Sequence, residues 1–450
     1  LPSEDPARGP AAAAQERAIA RLQLQLMRAQ APAERQRLLD QLWEAEQRYS
    51  NSTARPRAAL SVGGQRASVK VLQQTLASDE LVLEYVLSEP QSYCLVIGRS
   101  RIRIARLPAK AHIEALVDRI TQEVRSGRSP SPARSTELRA ALLTPIQESQ
   151  AARRLFIVPD GKLHLLAFDA LLDHAKPESR VVSTVPSANA FVLLRAGRRT
   201  TEPERALLAV GGVPYDRMFG SAKPAAGATR SDETRGLLDA SFPTQLAVLP
   251  TAEVEVQAAA RLLGPTSTVL TGDQATESAV KAQALGDFDV LHFAVHAFAD
   301  PKFPARAALV LLNDPAAGED GLLQPREIGQ FRLRAGVVVL SACDTAVGPT
   351  LGQEGVLNIA RAFLLAGARS VITTLWPVSD ATSAAVMRRF YENLVAGDDV
   401  AGALARAKAA VVEQFGGDAR ATTAAFQIVG VGDHRIASVR LRTAESRSTR

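Results

Sequence analysis

At 450 residues the chain is long for one domain, and two or three are expected. Its 46% hydrophobic and 22% charged residues suit a folded globular protein, and no apolar run reaches the ~18 residues of a membrane-spanning helix. A net charge of +6 with only two cysteines, Cys94 and Cys343, argues against a disulfide-held secreted scaffold and predicts a reducing, cytoplasmic setting.

The chain opens Leu1-Pro2-Ser3-Glu4-Asp5, with neither an initiator Met nor a signal-peptide pattern, and reads as a piece of a longer polypeptide. Residues 1–15 are Pro- and Ala-rich and are predicted to be disordered. From Gln15 to about Tyr49, Ile19, Leu22, Leu26, Leu38, Leu39 and Leu42 recur at helical spacing, and Ala31-Pro32 breaks the run into a hairpin. Such a hairpin suits the end of a helical repeat array that binds a regulatory protein, or a simple amphipathic prop. These residues form a first region, 1–66.

In a second region, 67–205, stretches 81–87, 92–97 and 101–107 read as a three-stranded meander, followed by helices near 111–126 and 136–150. Leu155-Phe156-Ile157-Val158 then reads as a buried strand ending in the turn Pro159-Asp160-Gly161. In a third region, 206–433, strands at 206–211, 268–271, 289–296, 308–312, 336–342 and 370–375 alternate with helical patterns, which predicts a doubly wound α/β sheet. The stretch 214–246, with Gly220, Pro224 and Gly227, is either a surface loop or an internal cleavage segment. The last region, 434–450, carries Arg435, Arg440, Arg442, Arg447 and Arg450 without interleaved aromatics. It reads as a solvated tail rather than a nucleic-acid arm.

Two apolar runs end abruptly in reactive side chains: Asp289-Val290-Leu291-His292-Phe293-Ala294-Val295-His296, and Gly336-Val337-Val338-Val339-Leu340-Ser341-Ala342-Cys343. Buried parallel strands read this way, and chemistry collects beyond their carboxyl ends. A thiol needs a base to ionise near neutral pH, and imidazole is the side chain best matched to that task. Cys343 is therefore the candidate nucleophile and His296 its base, with the amides of Ala297 and Cys343 as candidate oxyanion donors. His292, two pleats before His296, is read as a buried, hydrogen-bonded support; the alternative is a metal pair on one strand face. No cofactor motif is present: there is neither a Gly-x-Ser-x-Gly elbow nor a phosphate loop.

The motifs Leu291-His292-Phe293-Ala294-Val295-His296-Ala297 and Ser341-Ala342-Cys343-Asp344-Thr345 resemble the CHAT family of caspase-like proteins associated with tetratricopeptide repeats. So do Ala360-Arg361-Ala362-Phe363-Leu364-Leu365-Ala366-Gly367-Ala368-Arg369-Ser370-Val371, Leu375-Trp376-Pro377-Val378-Ser379-Asp380 and Val158-Pro159-Asp160-Gly161-Lys162-Leu163-His164-Leu165-Leu166, over about residues 68–432. The resemblance implies a caspase-like, parallel-sheet, three-layer α/β fold whose inactive N-terminal half buttresses a catalytic half. It also implies a cysteine endopeptidase of the caspase and separase type acting on a protein substrate, with His296 and Cys343 as dyad. Many relatives carry glycine where this chain has Ala297, and alanine restricts the backbone there. Similarity to separase makes Asp380 a candidate carboxylate for a basic residue before the scissile bond; the competing role is helix capping. Asp344 and Glu354 are further candidates for the cleft, Glu354 with a competing role at a helix start. The alternative function is a catalytically silent scaffold that mediates protein–protein interaction.

Overall fold

The computed structural model describes residues 10–29, 31–53, 68–125, 128, 130–172, 180–197, 203–218, 246, 248–298, 306–341, 352–376, 378, 380–416 and 418–436. Fourteen strands among them form two sheets. They are β1 (Glu80–Val86), β2 (Ser92–Gly98), β3 (Ile102–Leu107), β4 (Arg154–Val158), β5 (Val181–Thr184), β6 (Arg205–Gly211), β7 (Thr268–Thr271), β8 (Phe288–Ala294), β9 (Ala297–Phe298), β10 (Ala308–Val310), β11 (Leu322–Leu323), β12 (Val337–Leu340), β13 (Ser370–Thr374) and β14 (Phe426–Gly430). Eleven build one sheet in the order β3-β2-β1-β4-β5-β14-β13-β12-β8-β6-β7, and β11-β10-β9 form a second, small sheet.

The large sheet is mostly parallel, with helices on both faces, as the apolar runs of β8 and β12 require. Every residue of β8 and of β12 is buried. Odd-numbered Leu291 and Phe293 enter the core on one face, with Phe363, while even-numbered Val290 and Ala294 enter the other, with Met387 and Phe390. A strand buried on both sides cannot alternate apolar and polar residues, hence the continuous runs. The three-layer α/β fold expected from the sequence is the fold observed.

The strand at 308–312 is a correction: β10 leaves the main sheet and pairs antiparallel with β9 and β11. Two strands of the main sheet escape sequence reasoning altogether, β5 and β14, and they occupy its centre. β14 lies antiparallel to β13 and parallel to β5. Strands β1, β4 and β5 therefore run opposite to β13, β12, β8 and β6, and their carboxyl ends open on the opposite edge.

Two further corrections concern the ends. The hairpin begins earlier than expected: its helices span Pro10–Arg28 and Pro32–Thr53, with proline at the first helical position of each, where its missing N–H costs nothing. At the other end the fold extends past 433. His434 donates from Nε2 to the Gly336 carbonyl at 2.7 Å, and Ile436 is buried in the core. Between them, the helical stretch predicted at 136–150 divides into a helix, Pro132–Leu142, and a 3-10 turn, Gln147–Gln150.

β5 meets β14 at one register pair, Thr184 with Val429, so the backbone supplies little across this seam. Ion pairs supply more. The Arg195 guanidinium is bidentate on Glu80, at 2.6 Å to each oxygen, reaches Asp433 at 2.6 Å, and stacks on Phe156 and Phe191. Arg154 pairs with Asp399 and Lys408 with Asp169 across the same seam. Burial alone would raise the Glu80 pKa, but its bonds from Arg195 and the Ala77 N–H outweigh that and hold it below the ordinary value. Stability from Glu80 is thus present above its unfolded pKa and lost as pH falls through the folded one. Arg195→Leu strands a buried carboxylate and is expected to cost about 3–5 kcal/mol at neutral pH. In urea titrations its deficit should shrink as pH is lowered from about 6 toward about 3.

Candidate active site

Strands β8 and β12 lie side by side and parallel, with Phe293 opposite Leu340. His296 stands three residues beyond the first of these partners, and Cys343 three beyond the second. Cys343, Ala342 and Asp344 lie outside the described residues, so the structure fixes the strand that delivers them and the residue two before the thiol.

That residue, Ser341, is held at three points. Its N–H donates to the Phe293 carbonyl at 3.2 Å, its carbonyl accepts from Ser383 Oγ at 2.8 Å, and its Oγ lies 2.9 Å from His292 Nε2. His292, 0% exposed, is the centre of the arrangement. Its Nε2 also lies 2.9 Å from Glu255 Oε1, and its Nδ1 lies 3.0 Å from the Tyr391 hydroxyl. A carboxylate only accepts, so Nε2 carries the proton and Nδ1 accepts from Tyr391 O–H. Burial, with the nearby Glu255 charge, pushes the Tyr391 pKa well up, which keeps that hydroxyl a donor.

Glutamate, histidine and serine together suggest a triad, but the geometry excludes one. Carboxylate and hydroxyl share one ring nitrogen, whereas a relay needs them on opposite nitrogens. His292 is a buried support, as the sequence suggested. With both nitrogens engaged it has no lone pair for a metal shared with His296.

His296 itself has left the strand. β8 ends at Ala294, and the His296 ring packs on Tyr215 with centroids 4.8 Å apart. The Tyr215 hydroxyl is wedged into the β9–β10 ladder: it accepts from the His296 N–H at 2.9 Å and donates to the Val310 carbonyl at 2.9 Å. The Val310 N–H closes the same pair on the His296 carbonyl at 2.8 Å. Antiparallel pairs alternate between bonded and non-bonded, so the next pair, Ala297 with Leu309, is non-bonded. The Ala297 N–H therefore points away from β10. Among the described residues no non-glycine residue has a positive φ, so alanine imposes no backbone penalty at 297.

Of the remaining candidates, Asp380 opens the helix Asp380–Val395, and Glu354 falls in the first turn of the helix Gly352–Leu365. Their side chains lie outside the described residues. The loop at 214–246 begins with a short helix, Tyr215–Met218; residues 219–245 lie outside the description.

Tyr215, Glu255 and Tyr391 are the residues that sequence reasoning missed. Glu255 had a signal: Ala252, Val256, Ala259 and Leu263 form the buried stripe of the helix Ala252–Leu263, and a carboxylate on that stripe demands a partner. Tyr215, at the head of a polar loop, had none.

One acidic cluster among the described residues has metal-ligand spacing: Glu277, Glu319 and Glu327. The Lys281 ammonium already fills it, at 2.8, 2.7 and 2.9 Å from the three carboxylates. Next to it, burial and the Glu327 charge push the Asp320 carboxyl up to about 7. A cavity of about 270 Å³ lined by Phe168, Val181, Leu404, Lys408 and Phe426 sits at the β5–β14 seam and contains none of the candidate site residues.

The model of the CHAT domain matches residues 132–430, about two thirds of the chain. The chain belongs to the CHAT family. It is 27% identical to human tetratricopeptide repeat protein 28 over 214 residues, covering 40% of this chain and 8% of that protein. The mouse tetratricopeptide repeat protein 28 is 32% identical over 109 residues, 24% of this chain and 4% of the relative. The chain thus spans under a tenth of the curated relatives it matches. Among solved structures, the Saccharomyces cerevisiae separase–securin complex aligns with a TM-score of 0.36 at 14% identity, over 94% of this chain and 27% of that one. The Arg-specific cysteine proteinase gingipain R aligns with a TM-score of 0.42 at 11% identity, over 73% and 77%. No helix among the described residues is long and apolar enough to cross a membrane.

Two outcomes follow for stability. Tyr215→Phe removes the bridge between two buried backbone groups and should cost about 1–3 kcal/mol by chemical denaturation. Asp320 binds its proton more tightly folded than unfolded, so its contribution falls as pH rises from about 4 to about 7. The stability of Asp320→Asn relative to the parent should accordingly grow over that interval, read from denaturation midpoints, and level off above it.

Proposed function

We propose that this CHAT protein is a cysteine endopeptidase in which His296 activates Cys343. The observation that carries the reading is the register of β8 and β12. Both residues stand three positions past partners, Phe293 and Leu340, on adjacent parallel strands. Such strands lie about 4.8 Å apart, so the two chains leave the sheet side by side, which supports pairing His296 with Cys343.

In this reading His296 takes the thiol proton and the thiolate adds to the peptide carbonyl carbon, placing negative charge on oxygen. The Ala297 N–H, directed away from β10, and the Cys343 N–H stabilise that oxyanion. Collapse breaks the C–N bond, with His296 returning its proton to the leaving amine. Water activated by His296 then hydrolyses the thioester and restores the thiol. Neither step calls for a cofactor. Asp380, Asp344 and Glu354 are proposed as carboxylates near the cleft that favour a basic residue before the scissile bond, and a compartment with reduced thiols suits the chemistry. The substrate is a protein, and regulation acts through the N-terminal hairpin.

The hairpin's docking supports that last element. Glu46 is bidentate on Arg306, at 3.0 and 2.7 Å, and Gln23 bonds Gln324 at 3.2 Å. Arg306 stands two residues before β10, which pairs with Ala297 of β9, so a shift of the hairpin reaches the proposed oxyanion donor through two strands. The same docking favours the second reading, a silent scaffold whose repeats recruit partners, and the match to tetratricopeptide repeat proteins fits it.

Cys343→Ala and His296→Ala are each expected to abolish cleavage of peptides carrying arginine or lysine before the scissile bond, with circular dichroism unchanged. Cleavage surviving in Cys343→Ala removes the assignment. Thiol labelling separates the two readings: burial pushes the Cys94 thiol pKa up, so it should react slowly. Cys343 reacting at least tenfold faster with a peptidyl electrophile supports the peptidase, and equal rates support the scaffold.

A further inference from the structure

The large sheet ends at β3, and that edge carries an unusual combination of features. Among the described residues β3 pairs with β2 alone. The bond from the Gly98 N–H to the Arg101 carbonyl sets the ladder's phase, which makes Ile102, Ile104 and Arg106 the non-bonded positions facing β2. Their N–H and C=O groups consequently point outward from the open edge.

The same residues share a sheet face with Leu95, Tyr93 and Val86 on the neighbouring strands. Between Arg106 and Glu84 that face carries an accessible apolar patch: Ile104 is 61% exposed, Ile102 46%, Val86 43% and Tyr93 37%. Four of the chain's exposed large hydrophobics thus adjoin one another beside unpaired main chain, the two ingredients of strand addition. Charge selects the occupant. Arg101, Arg103 and Arg106 line the edge, and Glu148, which is bidentate on Arg103 at 2.7 and 2.6 Å, is the one carboxylate bonded to them among the described contacts. Glu84 lies two strands inward. A second copy paired edge to edge would bring six arginines together against two such glutamates, which like-charge repulsion opposes.

We infer that β3 is a docking edge for an extended segment of another polypeptide with alternating apolar and acidic residues. Its main chain continues the sheet at Ile102, Ile104 and Arg106. Its apolar side chains extend the patch around Ile104, and its acidic side chains, on the opposite face and at the rim, meet the arginines. The inference is independent of peptidase activity, since the edge lies seven strands from β12 in the sheet order.

A fluorescein-labelled peptide, acetyl-Glu-Val-Glu-Ile-Glu-Val-Glu-amide, titrated by anisotropy tests it. Saturable binding is expected, at least tenfold tighter than for the same peptide with lysine in place of glutamate. The double variant Arg101→Glu/Arg106→Glu should weaken binding at least tenfold. Ile104→Pro should do the same, because it deletes the central outward N–H while leaving the bonds to β2 intact. Should Ile104→Pro fail to fold by circular dichroism, the arginine variant, whose changes are at exposed positions, decides alone. No saturable binding below about 1 mM overturns the inference. So does binding that both variants leave unchanged, or a dimer in sedimentation velocity that Ile104→Pro dissolves, which would assign the edge to a second copy.

Discussion

The register between β8 and β12 is the constraint on which the site depends. A parallel pair fixed by Val337 on Val290 and Leu340 on Phe293 leaves no freedom in where the two chains leave the sheet. A slip by one residue would turn both apolar sets inside out, and each set is fully buried on both faces, so the register is strongly specified. The buried His292 reinforces it from within, tying β8 to Ser341 beyond β12 and to Glu255 and Tyr391 on the two helices that cover that face. One imidazole thus connects four elements. Its hydrogen bonds are satisfied by Glu255, Ser341 and Tyr391, which is how a polar group is tolerated in such a core.

Around this pair, the protein separates orientation from chemistry. Tyr215 holds the His296 backbone through an inserted hydroxyl, and in doing so fixes the phase of the β9–β10 ladder that turns the Ala297 N–H outward. Backbone donors directed by a ladder are rigid without any side-chain ordering, a sound way to preorganise a site. The helical hairpin touches the other end of this small sheet through Arg306 and Gln324, so it is joined to the proposed site by strand pairing, one ion pair and an amide hydrogen bond.

How much of this was legible depended on whether the information was local. β8 and β12 announced themselves, because strands buried on both faces must be apolar throughout. The role of His292 could be anticipated from a polar side chain set in such a run. β5 and β14 could not, because Val-Val-Ser-Thr and Phe-Gln-Ile-Val-Gly mix polar and apolar residues without the continuous apolar run of β8 or β12. Their central position rests on their pairing with each other, Thr184 with Val429, across more than two hundred residues of sequence. β10 misled for the opposite reason: its residues are as apolar as any main-sheet strand, and period alone does not say which sheet a strand joins. Pro10 heads a helix although proline and alanine together suggest disorder, because proline at a first helical position is favourable.

The placement of β14 has a further consequence. It is the last strand in sequence order, yet it lies between the two halves, with β5 on one side and β13 on the other. During synthesis the strands on either side of β14 precede it, so the middle of the sheet has no strand to fill it until residues 426–430 are made. Between the appearance of β13 and that of β14 the two middle edges of the sheet are both unfinished, and residues 426–430 fill the place between them.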